Sequence, residues 1–299
     1  MRSIFIVNPG SGPQDATASI KAELERLQPK DCEVYVTTAP MDAAHYVRNM
    51  CESTTEPLRF FACGGDGTLN EVINGAAGFS HAAVGCYPCG SGNDFVKYYG
   101  GKDRFLNLEA LVKAPAAPID LMRVNDRYCV NVCNFGFDTC VARTMIQVKN
   151  KKIIGGKRAY GTGVAKALFT AMKTHCRLTA DGDELVNGNM LLCTVANGSY
   201  VGGSFCCAPR SDNTDGLLEV CMVKPISRVR FLQLLTPYTN GQQLDDPRFR
   251  DILVYRRAKT VEVEAKAGFA VSVDGEIVED TRFRIEVLPG ALLFAAPER

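Results

Sequence analysis

Residues 1–120 alternate short apolar runs with amphipathic stretches. Arg2–Val7 reads as a buried strand, and Asp15–Leu27 as a helix with Ile20, Leu24 and Leu27 at helical spacing. Glu33–Thr37 is a second strand and Asp42–Cys51 a second helix. Arg59–Cys63 is a third strand, a helix starts at Thr68, and Ala82–Tyr87 is a fourth strand. Strands that alternate with helices predict an open parallel α/β sheet, with any ligand site along the carboxyl ends of its strands.

After Ala114-Pro115-Ala116-Ala117-Pro118 the rhythm changes. Tyr128–Asn134, Met190–Ala196, Leu217–Val223, Thr260–Ala265, Ala270–Val273 and Arg282–Val287 read as strands separated by polar or glycine turns. They predict an antiparallel β-rich second domain. One helix is expected within it, over Val164–Thr174, with Val164, Leu168 and Met172 on one face. The expected division is 1–122 and 123–289, and whether 290–299 rejoins the first domain is open.

Composition narrows the function. The chain has 299 residues, 46% hydrophobic and 22% charged, with a net charge of +1. Near-neutral charge argues against a nucleic-acid binder. No apolar run reaches the length of a membrane span, and the apolar start is too short for a signal peptide, so a cytoplasmic protein is expected. The thirteen cysteines are odd in number and mostly sit in apolar runs, which predicts free structural thiols. Cys86-Tyr87-Pro88-Cys89 has no second pair at zinc-like spacing, but Cys89 abuts a glycine loop.

Three glycine loops follow predicted strands: Asn8-Pro9-Gly10-Ser11-Gly12, Gly64-Gly65-Asp66-Gly67-Thr68 and Gly90-Ser91-Gly92-Asn93-Asp94-Phe95. Bare backbone N–H groups beside a helix start suit phosphate. Asp66 in the middle of the second loop would repel that phosphate unless a divalent cation lay between them. The pattern is neither a dinucleotide fingerprint nor a Walker-type phosphate loop, so it suggests a metal–nucleotide site and a phosphotransferase. The chain has only three histidines, His45, His81 and His175, none in a glycine motif, so a carboxylate is the remaining candidate base. From spacing alone, Asp274-Gly275 reads as a hairpin turn between alternating segments, as do Asp215-Gly216 and Asp181-Gly182.

These loops resemble those of the soluble diacylglycerol-kinase-like lipid kinases, relatives of sphingosine and ceramide kinases. The likeness continues through Ile119-Asp120-Leu121, Asn131-Val132-Cys133-Asn134-Phe135-Gly136-Phe137-Asp138, Thr214-Asp215-Gly216-Leu217-Leu218 and Val273-Asp274-Gly275-Glu276. It implies an NAD-kinase/diacylglycerol-kinase-like α/β domain followed by a β-rich sandwich that takes the lipid acceptor. It implies that Asn8, Pro9, Gly10, Ser11, Gly12, Thr37, Gly64, Gly65, Asp66, Gly67, Thr68, Asn70 and Ser91 bind ATP. Asp66 and Asp120 would belong to a magnesium–water network, and Glu276 would be the general base. Asp215, with backbone carbonyls near Asp212 and Leu217, would match a second, structural Mg²⁺ site. Relatives usually lack a thiol at the position of Cys89.

Thr139 to Ala180 contains no Asp or Glu but carries Arg143, Lys149, Lys151, Lys152, Lys157, Arg158, Lys166, Lys173 and Arg177. Such a run is either a solvated face or a surface for anionic phospholipid. A kinase with no span must reach its lipid, so peripheral association with the inner face of the membrane is expected. An exposed strand edge in the second domain would support a homodimer. Two other readings compete. NAD kinase shares the Gly-Gly-Asp-Gly-Thr loop, but this chain lacks that family's Thr-Pro-Thr-Gly-Ser-Thr-Ala-like segment. A non-catalytic nucleotide sensor predicts erosion of Asp66, Asp120 or Glu276, and all three are present.

Overall fold

The computed structural model describes residues 1–150 and 156–298. The chain divides into two compact units, Met1–Leu121 with Leu288–Arg299, and Met122–Val287.

In the first unit the strands are β1 (Arg2–Val7), β2 (Cys32–Val36), β3 (Leu58–Gly64), β4 (Ala82–Pro88) and the start of β5 (Ala116–Val124). The helices are α1 (Thr17–Leu27), α2 (Asp42–Ser53), α3 (Asp66–Ala76), the single turn α4 (Phe95–Tyr98) and α5 (Leu108–Lys113). The strands run parallel in the order β2-β1-β3-β4. Leu293–Ala295 from the end of the chain pair in parallel with Ala83–Gly85 of β4. All seven residues of β3 are buried, as are Ser3–Val7 of β1, because helices cover both faces of a parallel sheet. Phe5 and Phe61 stack at 4.7 Å between ring centroids, which fixes the β1–β3 pair at its centre.

The second unit is a β-sandwich with helices on one outer face. Its further elements are β6 (Arg127–Cys129), β7 (Val132–Gly136), α6 (Phe137–Asn150), α7 (Gly156–Thr170), β8 (Thr174–Ala180), β9 (Asp183–Met190) and β10 (Leu192–Ala196). They continue with β11 (Tyr200–Val201), β12 (Phe205–Cys206), β13 (Leu218–Val223), α8 (Arg228–Thr239), β14 (Leu253–Ala258), β15 (Thr260–Glu264), β16 (Ala270–Val273), β17 (Glu276–Glu279) and β18 (Arg282–Ala295). One antiparallel sheet has the order β14-β13-β10-β7-β16-β17. The other pairs Arg282–Glu286 of β18 with β15, then β8, then β9. Between them lies a core that includes Phe135, Val195, Val271, Leu178, Val263 and Phe283. The opposite face of the first sheet carries a second core in which Phe137, Val141, Ala167, Phe231 and Leu234 pack.

Three sequence expectations need correction here. The helix expected over Val164–Thr174 begins at Gly156 and ends at Thr170, and Thr174 opens β8. It is joined by α6 and α8, so the sandwich has a helical layer rather than one interrupting helix. The strand expected over Tyr128–Asn134 is broken between Cys129 and Val132, where the backbone turns to meet Asp274.

All thirteen cysteines are free, and ten of them are buried. No helix among the described residues is long and apolar enough to cross a membrane.

Candidate active site

Each glycine loop begins where a strand ends. Val7 of β1 leads into Asn8, Gly64 of β3 into Gly65, and Pro88 of β4 into Cys89. Because β1, β3 and β4 are adjacent, parallel and in register, the loops meet along one edge of the first unit's sheet. Backbone bonds lock them together. The Asn8 N–H donates to the Cys63 carbonyl at 3.0 Å, and the Cys89 and Gly90 N–H groups both donate to the Gly64 carbonyl, at 2.9 and 3.1 Å.

Asn8 is the clamp of the first loop. Its Oδ1 accepts the Gly10 N–H at 3.0 Å, its carbonyl accepts the Ser11 N–H at 3.1 Å, and its Nδ2 donates to Thr68 Oγ1 at 3.1 Å. Thr37 closes the other side, its N–H bonded to the Val7 carbonyl at 2.9 Å. The approach is too tight for side chains: a Cβ on Gly90 would stand 2.4 Å from the Gly65 Cα. At Gly12, where φ is +102°, a Cβ would stand 2.1 Å from the Cys89 carbonyl oxygen. Gly10, Gly67 and Ser91 remain exposed on the rim, as does Gly12. Beside Gly67, where a Cβ would find no atom within 4 Å, the cradle is open at the N-terminal end of α3. That combination of open backbone and positive helix end fits a phosphate group.

Asp66 is the first residue of α3, so its charge sits favourably at the helix N-terminus. Its Oδ1 accepts the Asp94 N–H at 2.6 Å and the Phe95 N–H at 3.5 Å. Amides therefore answer part of this carboxylate's charge, and its place among the glycines does not by itself require a cation. Asp94 forms an ion pair with Lys97. Asn70, one turn into α3, is buried and accepts two bonds from Asn74 Nδ2, at 2.9 Å to its carbonyl and 3.1 Å to its Oδ1. Asp120 is 2% exposed, with Oδ1 accepting the Gly290 N–H at 2.8 Å, so the chain's return segment holds it in place.

The second unit carries the other predicted residues. Asp274 and Gly275 have φ of 46° and 94°, and Val273 pairs with Glu276, so they form the hairpin turn the spacing predicts. The Asp274 side chain does more than turn the chain: Oδ2 accepts the Val130 N–H at 2.9 Å, and Oδ1 accepts those of Asn131 and Val132 at 3.1 and 3.0 Å. Glu276 is half-exposed at the start of β17 and pairs with Arg127 at 3.2 Å. At the expected structural magnesium site, Asp212 Oδ1 accepts the Thr214 N–H at 3.0 Å and its hydroxyl at 2.7 Å. Asp215 Oδ1 accepts the Leu217 N–H at 2.9 Å, and Asp215 also pairs with Arg257. A guanidinium thus already faces Asp215. Among the described residues no group of three or more His, Cys, Asp or Glu side chains is arranged to hold a metal.

Two side chains behave differently from what their sequence context suggests. Burial pushes the Cys89 thiol up to about 11, so at neutral pH it is protonated and a poor nucleophile. Burial likewise pushes the Asp138 carboxyl, in the first turn of α6, up to about 6. Its Oδ2 is closed off from solvent with no hydrogen bond among the described residues. Neither the burial of Asp138 nor the clamp made by Asp274 is visible in the sequence. The amides that Asp274 holds lie more than a hundred positions away, and no local pattern marks them.

Comparison with known proteins adds family and fold. Residues 2–124 match the model of the diacylglycerol kinase catalytic domain, and residues 131–296 match the YegS C-terminal NAD kinase beta sandwich-like domain. A diacylglycerol kinase of Bacillus subtilis (strain 168) is 27% identical over 92% of this chain and 89% of its own. A probable lipid kinase, YegS-like, of Chromohalobacter salexigens is 30% identical over 89% of this chain and 84% of its own. The crystal structure of a putative diacylglycerol kinase from Bacillus anthracis str. Sterne shares the fold, with a TM-score of 0.76 at 22% identity over 99% of this chain and 96% of that one.

Proposed function

The chain belongs to the diacylglycerol kinase and YegS-like family of lipid kinases, and from that premise we propose that it transfers the γ-phosphate of ATP to a hydroxyl of diacylglycerol or a related lipid. The observation that carries the reading is the junction of three glycine loops at the carboxyl ends of β1, β3 and β4, open at the start of α3. In this reading the N–H groups of the Asn8–Gly12 and Gly65–Thr68 segments bind the nucleotide phosphates, with Thr37, Asn70 and Ser91 lining the site. Asp66 and Asp120 are the residues that would hold a magnesium ion, which would supply countercharge to the transferring phosphoryl group. Asp212, Asp215 and the Leu217 carbonyl are the residues for a second, structural ion. To bind an ion there, Asp215 would have to exchange its pairing with Arg257.

Glu276 is the base. The acceptor oxygen forms its bond to phosphorus, the bond from phosphorus to the ADP oxygen breaks, and the hydroxyl proton passes to the Glu276 carboxylate. Arg127 orients that carboxylate, and Asp274 fixes the turn from which it projects. Peripheral docking on anionic phospholipid through the basic 143–177 segment fits this activity. Of that segment, Lys151 and Lys152 lie outside the described residues, as do the side chains of Lys149, Lys157 and Arg158. Arg143 and Arg177 pair with Glu279 and Glu184, and Lys166 and Lys173 are exposed.

The test is incubation with labelled ATP and Mg²⁺ against diacylglycerol, monoacylglycerol, sphingosine and phosphatidylglycerol, with NAD as a control. Label in a lipid phosphate supports the reading. Label in NADP, or in no acceptor at all, contradicts it.

A further inference from the structure

Arg257 stands between two carboxylates of the second unit. β13 and β14 run antiparallel with Glu219 directly opposite Arg257, so the two side chains share one face of the strand pair. Arg257 Nε lies 3.1 Å from Glu219 Oε1, and its Nη2 pairs with Asp215 Oδ2 in the turn that leads into β13. The guanidinium is therefore split, one nitrogen on each carboxylate, although its planar fork also matches both oxygens of a single carboxylate. Glu219 is the anomaly. Its side chain is 2% exposed, and Oε2 is closed off from solvent with no hydrogen bond among the described residues. The Tyr255 hydroxyl, also on β14, lies beside the same carboxylate. A buried carboxylate oxygen without a donor is unfavourable, so this one is a place that a second guanidinium nitrogen can fill.

Asp215 is where that vacancy matters. Its Oδ1 accepts the Leu217 N–H, and its Oδ2 is the oxygen that meets a cation, which here is Arg257. The charges leave room for an ion as well. Asp212, Asp215 and Glu219 carry three negative charges and Arg257 one positive, so two remain for one divalent cation to neutralise. Arg210 is nearby but already pairs with Asp245. We infer that Arg257 and a divalent cation are alternative partners of Asp215, and that Glu219 receives the freed guanidinium nitrogen when the cation binds. Arg257 holds the turn before β13 while no ion is there, and Glu219 keeps the displaced guanidinium paired rather than stranded. The inference rests on the second-ion part of the proposed function. It adds Arg257 and Glu219 as residues that set that ion's affinity without being ligands to it.

Calorimetric titration of the nucleotide-free protein with Mn²⁺ tests the exchange, the binding of interest being the part that Asp215→Asn removes. Arg257→Gln deletes the competitor and should tighten that binding by roughly tenfold. Glu219→Gln takes away the guanidinium's charged alternative and should weaken it by roughly tenfold. The double variant Arg257→Gln/Glu219→Gln separates exchange from simple charge: with Arg257 already gone, the Glu219→Gln effect should shrink to about twofold or less. Circular dichroism checks that each variant folds, and the wild type supplies a reading that needs no variant. In crystals grown with Mn²⁺, the anomalous signal should sit at Asp215, with the guanidinium on both oxygens of Glu219. Equal Mn²⁺ affinity in the wild type and Arg257→Gln overturns the inference and leaves the second ion in place. So does an undiminished Glu219→Gln effect in the double variant, or an ion on Asp215 with Arg257 still paired to it. Mn²⁺ binding that Asp215→Asn never alters, in any background, overturns the second ion together with the exchange. Transfer of phosphate to lipid is read separately, by the labelled-ATP assay.

Discussion

Asp66 accepts the backbone N–H of Asp94 at 2.6 Å, and this bond ties the second glycine loop to the third. The carboxylate thereby has a structural duty, in shaping the cradle, beside the catalytic one proposed for it. The two separate by substitution. Asp66→Asn keeps an oxygen that can accept the Asp94 N–H but removes the charge. It should leave the melting temperature nearly unchanged while turnover and its magnesium dependence fall by roughly 100-fold or more. Asp66→Ala should in addition cost about 1–3 kcal/mol of stability, because the amide loses its partner. Thermal melts beside steady-state rates check both, and a wild-type rate in Asp66→Asn would remove the metal role.

Gly90 is required by close approach rather than by its dihedral angles. With a Cβ 2.4 Å from the Gly65 Cα, Gly90→Ala should force the two loops apart at a cost of about 1–3 kcal/mol. Calorimetry should then show weakened ATP binding, while Asn187→Ala, at an exposed position on β9, leaves it unchanged. Normal ATP affinity in Gly90→Ala would show that the phosphates bind elsewhere.

The first unit is the more legible in the sequence. β1 and β3 are continuous apolar runs, and each ends at a glycine loop, so period and punctuation agree. In the second unit the alternating strands are visible and the helices mostly are not. α8 contains Pro237 and turns Val229 and Leu232 to solvent, which blurs the apolar stripe that marks a helix. β8 is hidden because the helical spacing up to Met172 runs straight into Thr174, although Cys176, Leu178 and Ala180 alternate as a strand requires. Asp274 reads as a turn residue and is one, but its clamp on Val130–Val132 depends on a fold that brings distant residues together.

Removing that clamp should unfold the second unit more easily. Asp274→Ala strands the N–H groups of Val130, Asn131 and Val132, at a cost of about 3 kcal/mol or more. A lower urea midpoint is the expected result. An unchanged midpoint would mean that water replaces the carboxylate at no cost.

Asp138 should make stability depend on pH. Its carboxyl is raised to about 6 in the folded protein by burial, above its value in the unfolded chain. The unfolded chain therefore ionises first, and the stabilisation is fully present below about pH 4 and lost as pH rises through about 6. Asp138→Asn should remove that component, gaining roughly 2–3 kcal/mol relative to the wild type between pH 4 and pH 8. Melts of both proteins at the two pH values isolate the effect, and parallel curves would show that Asp138 is solvated.

The most direct test of the proposed mechanism compares Glu276→Gln with the wild type. Glu276 is half-exposed and lies in the second unit, whereas the glycine loops lie in the first, so the substitution should spare folding and nucleotide binding. The account predicts that label transfer from ATP to diacylglycerol falls by roughly 100-fold or more while calorimetric ATP affinity is retained. Transfer at the wild-type rate in a purified, folded Glu276→Gln variant would contradict it.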